Sequence, residues 1–204
     1  MSINSITKAN SNKEYYSKYY REYIESTKNA DMSKLYDFFF RHTYNDTEKI
    51  MDLGFGSGRD SLFFKSRGLQ VTAIDPTEEF CIRAKELGIE DVRCTSAQEL
   101  DFNGEFDAIW ACASLLHVPS KELKDVFKRC YKALDSAGIM YCSFKYGEFE
   151  GYRDGRYYTD LNEESLRQHI KGSGFELIDA LVTIDVRPDK EDRWLNVILN
   201  KCVT

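Results

Sequence analysis

Apolar and polar positions alternate along the chain in two distinct rhythms. Short apolar runs at residues 49–53 (KIMDL), 69–75 (LQVTAID), 90–94 (EDVRC), 106–112 (FDAIWAC) and 138–146 (GIMYCSFKY) read as strands. Between them lie longer stretches with helical spacing: GRDSLFFKSRG and TEEFCIRAKELG, closed by Gly68 and Gly88, and the amphipathic SKELKDVFKRCYKAL. A further helix, NEESLRQHIKGSG, precedes two final strand-like runs, FELIDALVTID and RWLNVILNKC. Strands that alternate with helices imply βαβ units, hence an α/β fold with a mainly parallel sheet. Only VRPDKED joins the last two runs, too short for a crossover helix, so one reversed strand is expected at the C-terminal end. Ahead of the first strand, residues 1–12 are polar and expected to be loose. Two helical stretches, KEYYSKYYREYIES and MSKLYDFFFRHTY, break near Asn29–Asp31 and form an expected N-terminal cap over 1–43, leaving 44–204 as the main domain.

Composition narrows the picture. At 204 residues the chain suits one well-packed domain. A net charge of -6 argues against a general electrostatic grip on nucleic acid or anionic lipid, so neither is an expected partner. The six cysteines include no C-x-x-C pair and no zinc-ligand spacing, so no metal is expected. Most sit in apolar runs, where a reduced thiol packs as a small hydrophobe, which points to a reducing cytoplasm. No signal-peptide core and no run of membrane-spanning length are seen.

The candidate chemistry begins at KIMDLGFGSGRD, where three glycines follow the first strand. A glycine turn lets a ligand approach the backbone, and the next helix offers free N–H groups and a positive dipole end. The triphosphate loop G-x-x-x-x-G-K-[ST] is excluded, because no Lys-Ser or Lys-Thr follows. The dinucleotide pattern G-x-G-x-x-G/A also fails, since its third small position falls on Arg59 or Ser61. What fits is acid-x-Gly-x-Gly-x-Gly, running from Asp52 through Gly54 and Gly56 to Gly58. Asp75 ends the second strand, where an acid is placed to accept both ribose hydroxyls of an adenosine. It is equally suited to capping the helix that starts at DPTEEF, whose first turn accommodates Pro76.

These motifs resemble those of class I S-adenosylmethionine-dependent methyltransferases, and GSGRDSLFFKSRG is most similar to the small bacterial tellurite-resistance and thiopurine type. The resemblance covers roughly residues 35–203. It implies a Rossmann-like seven-stranded sheet with an antiparallel C-terminal strand and helices on both faces. It implies S-adenosylmethionine as cofactor, with S-adenosylhomocysteine as product. Cofactor contacts are expected from Asp52, Gly54, Phe55, Gly56, Gly58 and Arg59 of the loop, and from Asp75 and Pro76. Ser96, Ala97 and Gln98 stand where the family places an acid or amide beside adenine, with Ser96 where Asp is frequent. Ala111 and Cys112 of the fourth-strand motif would lie beside the methionine moiety. Arg59 either pairs with the methionine carboxylate or is a surface helix arginine. Phe55 stands where small residues or cysteine are more usual, and it either packs under the loop or narrows the pocket.

In-line methyl transfer needs positioning and water exclusion more than a nucleophilic triad, and none is present. The segment WACASLLH lacks the Asn/Asp-Pro-Pro-Tyr/Phe of base-amine and amide methyltransferases, and no Pro-Cys pair exists for cytosine C5 chemistry. A small-molecule acceptor is the leading expectation, methylated by a monomer or homodimer. A transferase for tRNA or a protein side chain, and a non-catalytic cofactor-binding subunit, stay open. His117, after the fourth strand, is either a general base or a structural ring. Tyr15, Tyr16, Tyr19, Tyr20 and Tyr23 share one helical face. They read either as core packing or as a lid, in which Tyr16, Tyr19 and Tyr20 would touch the acceptor. The long connection FKYGEFEGYRDGRYYTD adds Lys145, Tyr146 and Arg156 as candidate acceptor contacts. Arg187 either joins them or bridges acidic neighbours.

Overall fold

The computed structural model describes residues 3–187 and 190–201. Its centre is a seven-stranded sheet built from β1 (Lys49–Leu53), β2 (Gln70–Ile74), β3 (Asp91–Arg93), β4 (Phe106–Ala111), β5 (Leu134–Lys145), β8 (Phe175–Ile184) and β9 (Arg193–Lys201). The order is β3-β2-β1-β4-β5-β9-β8. β1 to β5 run parallel, while β9 is antiparallel to both β5 and β8. The reversed strand expected from the short VRPDKED connection is therefore β9, inserted between β5 and β8.

Side chains alternate across this sheet with period two, and each face finds its own helices. Met51, Leu53, Ile109, Met140, Cys142 and Val197 face α5 (Ser120–Ala133) and α6 (Glu163–Ile170), meeting Leu123, Phe127, Leu166 and Ile170. Ile50, Ala108, Trp110, Tyr141 and Ile198 point to the other face. There they meet α2 (Ser33–Phe40) and Phe64 of α3 (Arg59–Ser66). Five free cysteines are described, three of them buried, and Cys202 lies outside the described residues.

Three regions differ from expectation. The N-terminal helix α1 (Ile3–Thr27) begins well inside the segment expected to be loose, and it kinks at Tyr19. Of α2 only Leu35, near its start, reaches the cleft at the strand ends. Leu35, Tyr36, Phe38 and Phe39 are buried against the sheet, so the expected two-helix cap divides into α1 over the cleft and α2 within the core. Finally, the connection after β5 is a second, two-stranded sheet, β6 (Glu150–Arg153) paired with β7 (Arg156–Thr159). Its turn is Asp154-Gly155, both at positive φ (48° and 77°), the type I′ geometry that matches strand twist. Asp-Gly between alternating runs is a readable hairpin signal.

Candidate active site

Parallel strands end together, so the loops after β1, β2, β3, β4 and β5 converge on one edge of the sheet. After β1 the backbone turns sharply, and Gly54 and Phe55 both donate to the Ile74 carbonyl (2.8 and 3.1 Å). Gly54 adopts φ +94°, and a Cβ there would stand 2.3 Å from Ser114 Cβ, so only glycine lets the β1 and β4 loops approach. Gly58 is constrained by Phe55, whose ring would lie 2.7 Å from an added Cβ. Phe55 is buried with Ile24, Ala73, Phe80, Ala84 and Ile89. It thus packs beneath the loop and is absent from the cleft walls, a correction to its expected cofactor contact.

Asp52 is likewise under the loop. It is buried and accepts a hydrogen bond from Ser61 Oγ (2.6 Å), tying β1 to α3. Burial, with the neighbouring Asp60 charge second, pushes its carboxyl well above the usual range. Asp52 holds the turn rather than the cleft surface. Ala111 is fully buried in the core, so its side chain does not reach the cleft either; Ala113 does. Ala113 is held at φ +51°, its N–H donating to Ser143 Oγ (2.8 Å).

The first cavity, about 360 Å³, is lined by Gly54, Gly56, Asp75, Pro76, Thr77, residues 94–99, Ala113, Ser114, His117 and Glu122, with Asn12, Tyr16 and Tyr23 of α1 above. Ser96, Ala97 and Gln98 are thus brought to the same wall. Asp75 is 7% exposed, and its carboxylate accepts from Gly56 N–H (3.2 Å) and Thr77 N–H (2.8 Å). The residue that caps α4 (Glu78–Glu86) is Thr77, not Asp75 as the capping reading expected; Asp75 instead accepts from the Thr77 N–H and lines the cavity. Burial pushes its carboxyl up to about 6, against the lowering pull of those two hydrogen bonds. Ser114 Oγ and Glu122 Oε1 are buried in this lining without a hydrogen-bond partner among the described residues. Buried polar atoms are normally satisfied, so these two acceptor-capable groups fit a polar ligand. A buried strand-end carboxylate, a glycine turn and orphaned polar atoms together fit an adenosyl group. Glu122, Thr77, Ser114 and Asn12 were not flagged by sequence.

The second cavity, about 940 Å³, meets the first at Tyr16, Tyr23, Ala113 and His117. Its walls include Arg59, Cys112, Lys145, Arg153, Arg156, Tyr158, Asp185, Arg187, Asp192 and Trp194. Arg59 is not a solvated surface residue. Its guanidinium grips Asp60 (2.7 and 2.8 Å) and the Thr27 carbonyl of α1 (3.3 Å). Lys145 pairs with Asp192 (2.7 Å) and Arg187 with Asp185 (2.6 Å). Arg187 bridges an acidic neighbour, one of its two expected roles, and also lines the cleft. Tyr146 is a correction: its hydroxyl donates to Glu163 (3.0 Å), away from both cavities. Tyr19 is 37% exposed and Tyr20 joins the packing beside Phe55, so neither reaches the cleft; Tyr23, on the same face, does.

Tyr16 and His117 form a fixed pair. His117 Nδ1 lies 2.7 Å from the Tyr157 carbonyl, which only accepts, so Nδ1 carries the proton. Nε2 then accepts from the Tyr16 hydroxyl at 2.8 Å. Burial, reinforced by Arg156 and Lys145, lowers the imidazole to about 4 despite the Tyr157 bond. Asn12 fastens the same point, donating to the Tyr157 carbonyl (3.1 Å) and accepting from its N–H (2.7 Å). We expect long-range ¹⁵N–¹H spectra to show His117 as the neutral Nδ1–H tautomer from pH 5 to 8 (about one unit above its lowered value). An imidazolium signal at pH 6 would refute this arrangement. The sign for stability follows: a folded-state value below the unfolded one near 6.5 stabilises at neutral pH, and that contribution is lost as pH falls from about 6.5 toward about 4.

The sheet order, glycine turn and strand-end acid together define an adenosyl-binding α/β enzyme. Comparison places it more closely. The family model described as "Methyltransferase domain" matches residues 51–142. An uncharacterized methyltransferase of Staphylococcus carnosus is 24% identical over 180 residues, 84% of this chain and 86% of that protein. The ubiquinone biosynthesis O-methyltransferase of Chromobacterium violaceum is 31% identical over 114 residues, 52% of this chain; the match spans about half (48%) of that protein. Among solved structures, the 1,6-didemethyltoxoflavin-N1-methyltransferase of Burkholderia thailandensis, crystallised with 1,6-didemethyltoxoflavin and S-adenosylhomocysteine, superposes with a TM-score of 0.81. It is 20% identical, with 98% of this chain and 91% of that one covered. The chain is thus similar to S-adenosylmethionine-dependent methyltransferases, through a methyltransferase domain over residues 51–142. No described helix is long and apolar enough to cross a membrane, and no metal-binding cluster occurs among the described residues.

Proposed function

We propose that this methyltransferase acts on a small molecule held in the second cavity. The observation that carries the reading is the junction at Tyr16, Tyr23, Ala113 and His117, where the two cavities meet beneath α1. An acceptor there lies between α1, the β6–β7 hairpin and residues 183–187 and 190–192, a cleft of a size suited to a small ligand. The two small-molecule methyltransferases named above support the same reading by analogy.

In this reading Asp75 accepts the ribose hydroxyls, and Gly54 and Gly56 admit the ligand backbone-close. Pro76, Ser96, Ala97, Gln98 and Glu122 hold the adenine end, Ser114 and Cys112 the amino-acid end. When bound, S-adenosylmethionine supplies a methyl carbon on a sulfonium, whose C–S bond breaks with its electron pair passing to sulfur as an acceptor lone pair forms the new bond. The protein's part is to align the acceptor and exclude water. α1 does this as a lid, latched by Asn12 on Tyr157 and by Tyr16 on His117. With both ring nitrogens engaged, His117 positions the Tyr16 hydroxyl at the junction rather than collecting a proton itself.

Incubating the protein with methyl-labelled S-adenosylmethionine and a whole-cell extract tests the acceptor class. The label is expected to pass a size-exclusion membrane; label retained with RNA or protein would overturn the reading.

A further inference from the structure

The half-buried cations of the second cavity are matched with carboxylates among the described residues, with one exception. Arg59 has Asp60, Lys145 has Asp192, Arg153 has Asp160 and Arg187 has Asp185. Lys190 is exposed at the rim. Arg156, half-buried on β7, meets no carboxylate among the described residues. Its neighbours are the Tyr16 hydroxyl (3.4 Å) and the rings of Tyr15 and Tyr158, at 4.9 and 5.3 Å from the guanidinium carbon. Its Nε is buried and has no hydrogen-bond acceptor among the described residues. Asp154, in the adjoining turn, is exposed and forms no described ion pair with it.

A guanidinium withdrawn from water and stacked on aromatic faces leaves its charge uncompensated. Its planar fork is complementary to a carboxylate or phosphate, which can accept two of its N–H groups side by side. The hairpin fixes this fork in place. Tyr157, next along β7, is clamped by Asn12 and His117 from the opposite side of the cleft. Tyr16, Tyr23, Tyr158 and Trp194 give the surrounding wall an aromatic character.

We propose that the acceptor is an anion, its carboxylate or phosphate group seated on Arg156 and its body lying against the cavity's aromatic wall. This rests on the reading that the second cavity holds the acceptor. Arg156 then acts as the specificity-determining residue, discriminating an acid from its neutral analogue.

The probes are benzoate, phenyl phosphate and the neutral benzamide, titrated by NMR into protein saturated with S-adenosylhomocysteine. One oxyanion is expected to bind about tenfold or more tightly than benzamide, and the better of the two identifies the anionic group. Arg156→Gln should erase that preference by raising the oxyanion's Kd, with benzamide unaffected and a cooperative thermal melt retained. Arg156→Lys should keep part of the preference, because it keeps the charge and loses the fork. Equal binding of the three probes, or none, or an oxyanion preference that survives in Arg156→Gln, would overturn the proposal. Labelled RNA or protein in the extract experiment would instead overturn the small-acceptor reading on its own.

Discussion

Asp75→Ala is expected to weaken binding of S-adenosylhomocysteine by about 1–3 kcal/mol, the cost of leaving charge-assisted hydrogen bonds unmade. Titration calorimetry measures this directly, and unchanged affinity would remove Asp75 from the ribose site. The effect also has a pH signature. Ribose hydroxyls donate, so they need the ionised carboxylate, and burial has pushed that group up to about 6. Affinity should therefore be full at pH 7 to 8 and fall as pH drops through about 6. The unliganded fold has the opposite dependence. A folded-state value above the unfolded one near 3.9 stabilises at low pH, and that contribution is lost as pH rises through about 6. The site thus gives up some stability at neutral pH to hold a carboxylate ready for its ligand. Asp75→Asn should flatten the affinity profile between pH 5 and 7 (the range around about 6).

The largest loss of stability is expected at Asp60, a residue that sequence reading passed over. Its carboxylate, in the first turn of α3, accepts from Arg59 Nε and Nη2, Tyr36 Oη (2.6 Å) and Trp110 Nε1 (2.9 Å). Burial opposes its ionisation, but Arg59 foremost, with Tyr36 and Trp110, holds it below the usual carboxylate range. One acid therefore joins α2, α3 and β4, and through Arg59 it reaches the last turn of α1. Asp60→Ala leaves a buried guanidinium, a phenol and an indole N–H without their acceptor. We expect a loss of about 3–5 kcal/mol in denaturant unfolding, as when one partner of a buried ion pair is removed. A loss below about 1 kcal/mol, the range of exposed pairs, would show the network to be dispensable.

Local spacing made much of the fold legible. The glycine turn, the strand–helix alternation and the short β8–β9 connection each express a rule that operates over a few residues, and each is met in the structure. What escaped depends on tertiary neighbours. Asp52 carries the right spacing for the loop, yet burial assigns it to the underside. Tyr19 and Tyr23 lie on the same helical face by periodicity, but α1 kinks at Tyr19, and of the two only Tyr23 lines the cleft. His117 was legible as a site residue. That both its nitrogens are engaged depends on a carbonyl 40 residues away, on a hairpin whose Asp-Gly turn was readable but unread. Glu122 was hidden because α5 presents it as one polar position among many.

The insertion of β9 between β5 and β8 also sets a timetable for synthesis. β5 pairs with β9 from Ile139–Asn200 to Lys145–Trp194, so one edge of a buried central strand has no partner until residues 194–200 have been made. Through all that interval the nascent chain carries an open, apolar strand edge, the kind of surface that recruits chaperones or other chains. Closure comes only when β9 docks, which also brings Trp194 and Asn196 to the wall of the second cavity beside Thr183 of β8. The second cavity is thus completed only after the other strands of the sheet have been made.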